Sequence, residues 1–397
     1  MRPIRHLHLD PSKRIPLLRE QKSVEDAPRE PPTASKTHTS PRGAKPETHG
    51  QAQGGGGEKE GDASVYFIGN ATTIIEWQGI RILTDPNFLH AGDHVHLGPG
   101  VSAQRLKDPA VDIEELPPVD LVLLSHYHED HFDKLVEEKL SRDVVIVTTP
   151  HAKGCLASSS AEGGAFRAVH DVDTFESMML HVNGAKQARA AGSGKVPTMK
   201  ITAMPGKHVP PGPLSVANDL LHAVPPTNGW MLEMAWLPSG GTAETEVHSI
   251  DPGYRIYISG DTLFVDELKE IPKFIREQQK LARDRRPHSD ARSARRDDDE
   301  DDDAQIDLMI VHLGGTTIPG PHMPLLMVTM DARQGVELMK LLNPDLTIPV
   351  HFDDYSVFLS PLQDFKTEVA NMGEAWKDRV VYLDRGEQFK FMVRDSS

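Results

Sequence analysis

The alternation of apolar and polar positions becomes regular at Ser64. The stretch "SVYFIGNATTIIEWQGIRILTDP" contains three short β-rich runs, broken at Gly69-Asn70 and at Gln78-Gly79, which read as hairpin turns. The third run, Arg81 to Thr84, stops at Asp85-Pro86. Beyond the loop "NFLHAGDHVHLGPG", a strand is predicted over Asp120–Leu124, and it runs directly into "SHYHEDHFDKL". Residues 129–141 space Phe132, Leu135, Val136 and Leu140 as one helical face. Further strands are predicted from Val144, Met199, Trp230, Tyr254, Ile306 and Leu346. Between the last two, "MDARQGVELMKLLNP" predicts a helix capped by Asp331. Two strand-rich halves of this kind predict two sheets packed face to face, with helices outside.

Two regions break the pattern. Residues 1–61 are rich in Pro, Ser, Thr, Gly and charge, too polar to offset the entropy of ordering, and are expected to be a disordered tail. Residues 62–397 are expected to form one domain. Within it, about 277–305 turns basic and then acidic, as a flexible surface insertion would.

Composition narrows the function classes. The 397 residues carry a formal charge of −16, part of it from seven consecutive acids at Asp297–Asp303, which argues against nucleic acid as partner. The single Cys155 cannot form an internal disulfide and reads as a small packing residue in a reducing compartment. No apolar run is long enough to span a bilayer, and the N-terminus lacks the apolar core of a secretory signal. A cytoplasmic protein is expected, with a mitochondrial presequence as the alternative.

Histidine changes the picture most, with 20 copies. Several hydrophobic runs end in His or Asp: Thr84-Asp85, Ser125-His126, Gly260-Asp261 and Val350-His351, with His208 just past another run. If those strands are neighbours, the imidazoles and carboxylates meet at one sheet edge and suit a divalent transition metal. Within "HYHEDH", His126 and His128 can grip one ion from the same side of an extended stretch. Asp130 and His131 can then face a second ion, which Asp261 could bridge to the first.

His126, His128, Asp130 and His131 spell H-x-H-x-D-H, which resembles the signature of the metallo-β-lactamase superfamily. Asp85, His208, Asp261 in "SGDT" and His351 resemble its other motifs, in the family's order, across roughly residues 64–385. The resemblance implies an α/β, four-layer αββα sandwich. It implies His126, His128 and His208 as ligands of one metal, Asp130, His131 and His351 as ligands of a second, and Asp261 as the bridge. Asp85 would support the histidine loop from behind. The implied activity is a binuclear metal-dependent hydrolase, in which a metal-bound hydroxide cleaves an ester, lactone, amide or phosphodiester bond. The cofactors would be two divalent ions, zinc first, with manganese or iron as alternatives. Asp130 would hold the nucleophile and pass its proton on. His322, in "VHLGGTTIPGPHM", reads either as a pocket residue that helps position an oxyanion or as a surface-loop residue. The "SGDT" strand and "LTIPVHFDDY" resemble the branch holding the ascorbate phosphate lactonases and the N-acyl-phosphatidylethanolamine-hydrolysing phospholipase D. That branch implies a small-molecule or lipid-like substrate.

Plainer readings attach to single residues. Alone, "HYHEDH" could be a charged helix start, His208 a loop histidine, Asp261 a turn aspartate and His351 a core-edge histidine. His94 and His96 read as part of a loop over the site, Tyr355 as a residue near the pocket, and Asp133 as helix surface. Trp77, Trp230 and Trp236 read as core. The rival functional class is a di-iron redox or sensor protein on the same fold.

Overall fold

The computed structural model describes residues 4–40, 61–98, 100–159, 163–182, 195–210, 212, 218, 224–238, 250, 252–284, 305–320 and 323–395. Two sheets form its centre. One holds seven strands in the order Arg5–Leu9, Ser177–Val182, Lys195–Pro205, Asn228–Pro238, Tyr254–Ile258, Leu308–His312 and Leu346–Val350. The other holds eight, in the order Ala168–Asp171, Val145–Thr148, Leu121–Leu123, Ile80–Thr84, Thr72–Trp77, Ala63–Gly69, Gln388–Phe391 and Thr37–His38.

The sheets face each other across one apolar core. Val65, Phe67, Ile82 and Leu121 of the eight-stranded sheet pack with Ile201, Leu232, Ile256 and Ile310 of the other. Trp77 and Trp230 are buried there, and Trp236 packs on its edge. Strands in such a place are buried on both faces, which is why several read as unbroken apolar runs. Helices cover the outer faces. Glu270–Asp284, Ala332–Leu342 and Leu362–Asn371 lie on the seven-stranded side. Lys134–Lys139 and Pro150–Leu156 lie on the eight-stranded side. The result is the four-layer αββα sandwich expected.

Local signals hold where they have a mechanism. Gln78 and Gly79 both take positive φ (50° and 81°) in the two-residue turn joining Thr72–Trp77 to Ile80–Thr84. Asp331 caps Ala332–Leu342 by accepting from the Gln334 amide at 2.9 Å, and Asn343 ends it in a left-handed conformation.

Two expectations need correction. The tail reading fails for residues 4–40. Arg5–Leu9 pairs parallel with Ser177–Val182, and Thr37–His38 pairs with Gln388–Phe391. Leu17 and Leu18 are buried against the eight-stranded sheet, and Arg14 holds Asp120 at 3.0 and 2.7 Å. Composition averaged over 61 residues hid short apolar pieces that add to surfaces built elsewhere in the chain. Residues 41–60 lie outside the described residues. The insertion reading also fails over 277–284, which continue the helix Glu270–Asp284, anchored by buried Ile271 and Ile275. The rest of that segment, with the acidic run, lies outside the described residues apart from Gln305.

Candidate metal centre

Strand direction explains how distant residues meet. Ile80–Thr84 and Leu121–Leu123 pair parallel, and so do Tyr254–Ile258, Leu308–His312 and Leu346–Val350. The carboxyl ends of parallel neighbours share an edge, so Asp85, His126, Asp261, His312 and His351 arrive together. The two sheets are tied at this edge by the Asn228 amide on the Ser125 carbonyl (3.0 Å) and the His351 amide on the Asn70 carbonyl (2.9 Å). Gly260 permits the approach. It has φ +59°, and a Cβ there would stand 2.3 Å from the Asn228 carbonyl oxygen.

The structure brings together all seven residues expected as ligands. Donor atoms of Asp130, His131, Asp261 and His351 lie within 4.8 Å of one another. So do those of His126, His208 and Asp261, and those of His126, His128 and Asp130. All but His128 are buried, and His128 is half-buried, with Nδ1 3.4 Å from Asp130 Oδ1.

The hydrogen bonds behind the rings settle which nitrogen looks inward. His208 Nδ1 donates to the Val328 carbonyl and His351 Nδ1 to the Leu313 carbonyl, each at 2.9 Å. His131 Nδ1 faces Asp85 Oδ2 at 3.1 Å. The Ser125 hydroxyl donates to Asp85 at 2.8 Å, so it accepts from His126 Nδ1 at 2.9 Å. Each ring therefore turns Nε2 toward the cluster. Among the described residues, the Nε2 atoms of His126, His131, His208 and His351 are buried without a hydrogen-bond partner, as is Asp130 Oδ1. Buried polar atoms without partners are costly unless something satisfies them. A divalent cation fits: the orphaned atoms are imidazole nitrogens and carboxylate oxygens, the donors such ions take.

Protonation agrees. Burial, then His131 and His208, push the His126 imidazole well below its ordinary range. Burial likewise holds His208 down, at about 4. Burial opposes ionisation of Asp130 and Asp261, but the surrounding histidines outweigh it and hold both carboxyls below the usual range. For His131 and His351 burial is outweighed by Asp261 and Asp130, which push both rings up. A cation at the cluster would displace protons from those two rings.

Asp85 does what the sequence suggested, holding His131 while accepting from the Ser125 amide and hydroxyl at 2.7 and 2.8 Å. Three contributors escaped the sequence. His312 is buried and places Nδ1 3.0 Å from Asp261 Oδ1, and Thr329 donates to Asp261 Oδ2 at 2.8 Å. The strand-end habit could have flagged His312, since it too closes an apolar run. In the sequence Asn70 reads as a turn residue alone. It has φ 51°, donates from Nδ2 to the Asp130 carbonyl at 2.6 Å, and accepts the His351 amide on its own carbonyl. Asn70→Gly keeps the backbone conformation and removes only the side-chain bond. It is expected to weaken metal affinity or activity ~10–100-fold with the fold intact, as loss of an outer support does. Chelator competition and circular dichroism on the variant check this.

Other expectations fare differently. Asp133 is buried rather than on the surface: it caps Lys134–Lys139 and accepts the Phe88 and Leu89 amides. Burial pushes its carboxyl up to about 6. Tyr355 is buried as a prop, donating to Asn87 Oδ1 at 2.9 Å, while Asn87 donates to the Glu129 carbonyl at 3.1 Å. His94 and His96 lie on a hairpin, His94–Gly98 with Val101–Gln104, and the His96 amide donates to Glu129 at 2.6 Å. His96, His128, Glu129, Lys134 and Cys155 line a cleft of about 670 Å³. Burial raises the Cys155 thiol, which keeps it protonated. His322 lies outside the described residues.

Comparison with known proteins agrees with this architecture. A profile of the β-lactamase superfamily domain matches residues 64–235. An uncharacterised protein of Mycobacterium tuberculosis is 42% identical over 76 residues, 18% of this chain and 20% of its own length. The mitochondrial N-acyl-phosphatidylethanolamine-hydrolyzing phospholipase D of Saccharomyces cerevisiae is 38% identical over 79 residues, 19% of this chain and 16% of that protein. The chain thus matches about a fifth or less of these relatives' length. Among solved structures, an isothiocyanate hydrolase from Delia radicum gut bacteria aligns over 83% of this chain and 100% of its own, with a TM-score of 0.53 at 15% identity. Fold, motif order and profile match coincide: residues 64–235 match the β-lactamase superfamily domain, and the chain shares its fold with a hydrolase of known structure.

Proposed function

We propose that this chain is a binuclear metal-dependent hydrolase, with His126, His128 and His208 holding one divalent ion, Asp130, His131 and His351 a second, and Asp261 between them. The observation that carries the reading is the set of buried Nε2 atoms that make no hydrogen bond and face two ionised carboxylates. Bound there, such ions supply Lewis-acid polarisation of a substrate oxygen and a nucleophile available at neutral pH. The protein's own residues do the rest. Asp130 Oδ1 accepts no hydrogen bond and lies 3.4 Å from His128 Nδ1, while Asn70 fixes the Asp130 backbone, so this oxygen can take a proton from the nucleophile and return it to the leaving group. Asp85 and the Val328 and Leu313 carbonyls hold the rings in one tautomer. Substrate enters on the side of His128, through the cleft it shares with His96 and Lys134.

Zinc is the first choice of ion and manganese the second. The substrate class is an ester, lactone, amide or phosphodiester. The phospholipase D relative adds weight to a lipid-like phosphodiester. No helix among the described residues is long and apolar enough to cross a membrane, so such a lipid would be met at a surface. A panel of lactones, β-lactams, thioesters and bis-nitrophenyl phosphate, run with zinc and with manganese, tests the reading. Turnover of at least one class, abolished by chelation and restored by metal, is expected. Absence of all turnover, together with a redox-active iron spectrum in protein purified without added metal, would replace it with the di-iron alternative.

A further inference from the structure

A second group of histidines lies on the opposite margin of the seven-stranded sheet, on its edge strand and the strand beside it. Arg5–Leu9 pairs parallel with Ser177–Val182, and His8 stands directly opposite His181. Leu9 and Leu180 point into the core between the sheets, with Leu7 packed against it. Side chains alternate along a strand, so His6, His8 and His181 all project from the outer face. Ile4, two residues before His6, confirms the direction by packing on the outer-face cluster of Met179, Ala235, Leu237 and Ile250.

His181 touches both of the other rings. His6 Nδ1 and His181 Nε2 are 2.8 Å apart. The ring centres of His6 and His8 lie 5.1 and 4.9 Å from that of His181, nearly parallel to it. Two imidazole nitrogens at 2.8 Å must share one proton, and further protonation sets like charges side by side. Burial, then His8 and His6, lower the affinity of His181 for a proton. Neutral imidazoles with an available lone pair are what a transition metal takes.

We infer that His6, His8 and His181 form a surface site for a borderline divalent transition ion, such as Ni²⁺, Cu²⁺ or Zn²⁺, separate from the superfamily's centre. Two donors come from alternate positions of one strand and the third from its partner, so all three lie on one face without a loop to order. Three imidazoles with no carboxylate among them select against Mg²⁺ and Ca²⁺, which require oxygen donors. His6 and His8 are exposed, so turning their stacked rings toward one ion costs side-chain freedom and little packing. Solvent would complete the coordination. A bound ion cross-links the N-terminal strand to its neighbour and fixes the edge of the sheet.

The test uses the full chain loaded with zinc and then titrated with Ni²⁺ by calorimetry, with bound nickel and zinc counted by mass spectrometry. The parent protein is expected to bind one more nickel than the His6→Ala/His8→Ala double variant. His181→Asn is expected to weaken that additional equivalent at least tenfold. Equal nickel stoichiometry in the parent and the double variant would overturn the inference, as would unchanged affinity in His181→Asn. Both variants alter the outer face alone, and zinc content at the His126–His351 centre reports that the fold is retained.

Discussion

Asp261→Asn protein is expected to fold, to lose bound divalent metal, and to lose hydrolytic turnover. The carboxylate sits at the junction of the cluster. Its Oδ2 lies 3.2 Å from His131 Nε2 and 3.5 Å from His351 Nε2, and its Oδ1 is 3.0 Å from His312 Nδ1. The amide keeps the volume and the Thr329 contact but removes the charge that two cations would share. It also leaves His131 and His351 without a main counter-charge, because Asp261 heads the groups that raise both rings against burial. The loss should exceed the ~100-fold that removal of an outer support costs, since a direct donor is removed. His126→Ala should behave alike, because it deletes a ring common to two of the donor groups. Metal content and turnover on the best panel substrate check both variants. Full activity and full metal content in either would rule out the assigned ligand set.

Glu233→Ala carries the largest expected cost in stability. Glu233 lies on the seven-stranded sheet between Lys200 and Arg255, at 2.9 Å from each, and all three side chains are buried. Deleting the acid strands two buried cations, which costs about 3–5 kcal/mol by analogy with other broken buried pairs. Glu233→Gln should cost less, because the amide can still accept one hydrogen bond. Burial favours the neutral acid, but Lys200 and Arg255 outweigh it and hold Glu233 at about 2, against 4.5 unperturbed. A depressed carboxyl stabilises the fold above its unfolded value, and that contribution fades as pH falls from about 4.5 toward 2. Urea unfolding at pH 7 and at pH 3 checks this. The parent should lose more stability between those pH values than Glu233→Gln, and equal losses would refute the charge assignment.

Much of the site was legible in one dimension because its chemistry clusters at strand ends. The apolar run before Ser125 predicted a strand, and the polar cluster after it could only lie at that strand's end. The same logic applied at Asp85, Asp261 and His351. Asp133 was misjudged because a one-turn helix start looks alike whether it faces solvent or the Phe88 amide. The role of His312 is not legible in the sequence, because nothing in its own neighbourhood shows that Asp261 stands 51 residues back and 3.0 Å away. The N-terminal strand was lost to averaging, since a five-residue edge strand buries too little to mark composition, yet adds cheaply to a sheet that already exists.

By itself the sequence determined the repertoire: which donors exist, which strands deliver them, and two strand-rich halves suited to packed sheets, which the family resemblance extends to an αββα layering. The tertiary structure alone decided the convergence. Parallel pairing puts five strand ends on one edge, and the Nδ1 hydrogen bonds point four buried lone pairs at the same volume. Period and composition act over a few residues, whereas that aim depends on backbone carbonyls such as Val328, 120 positions from His208.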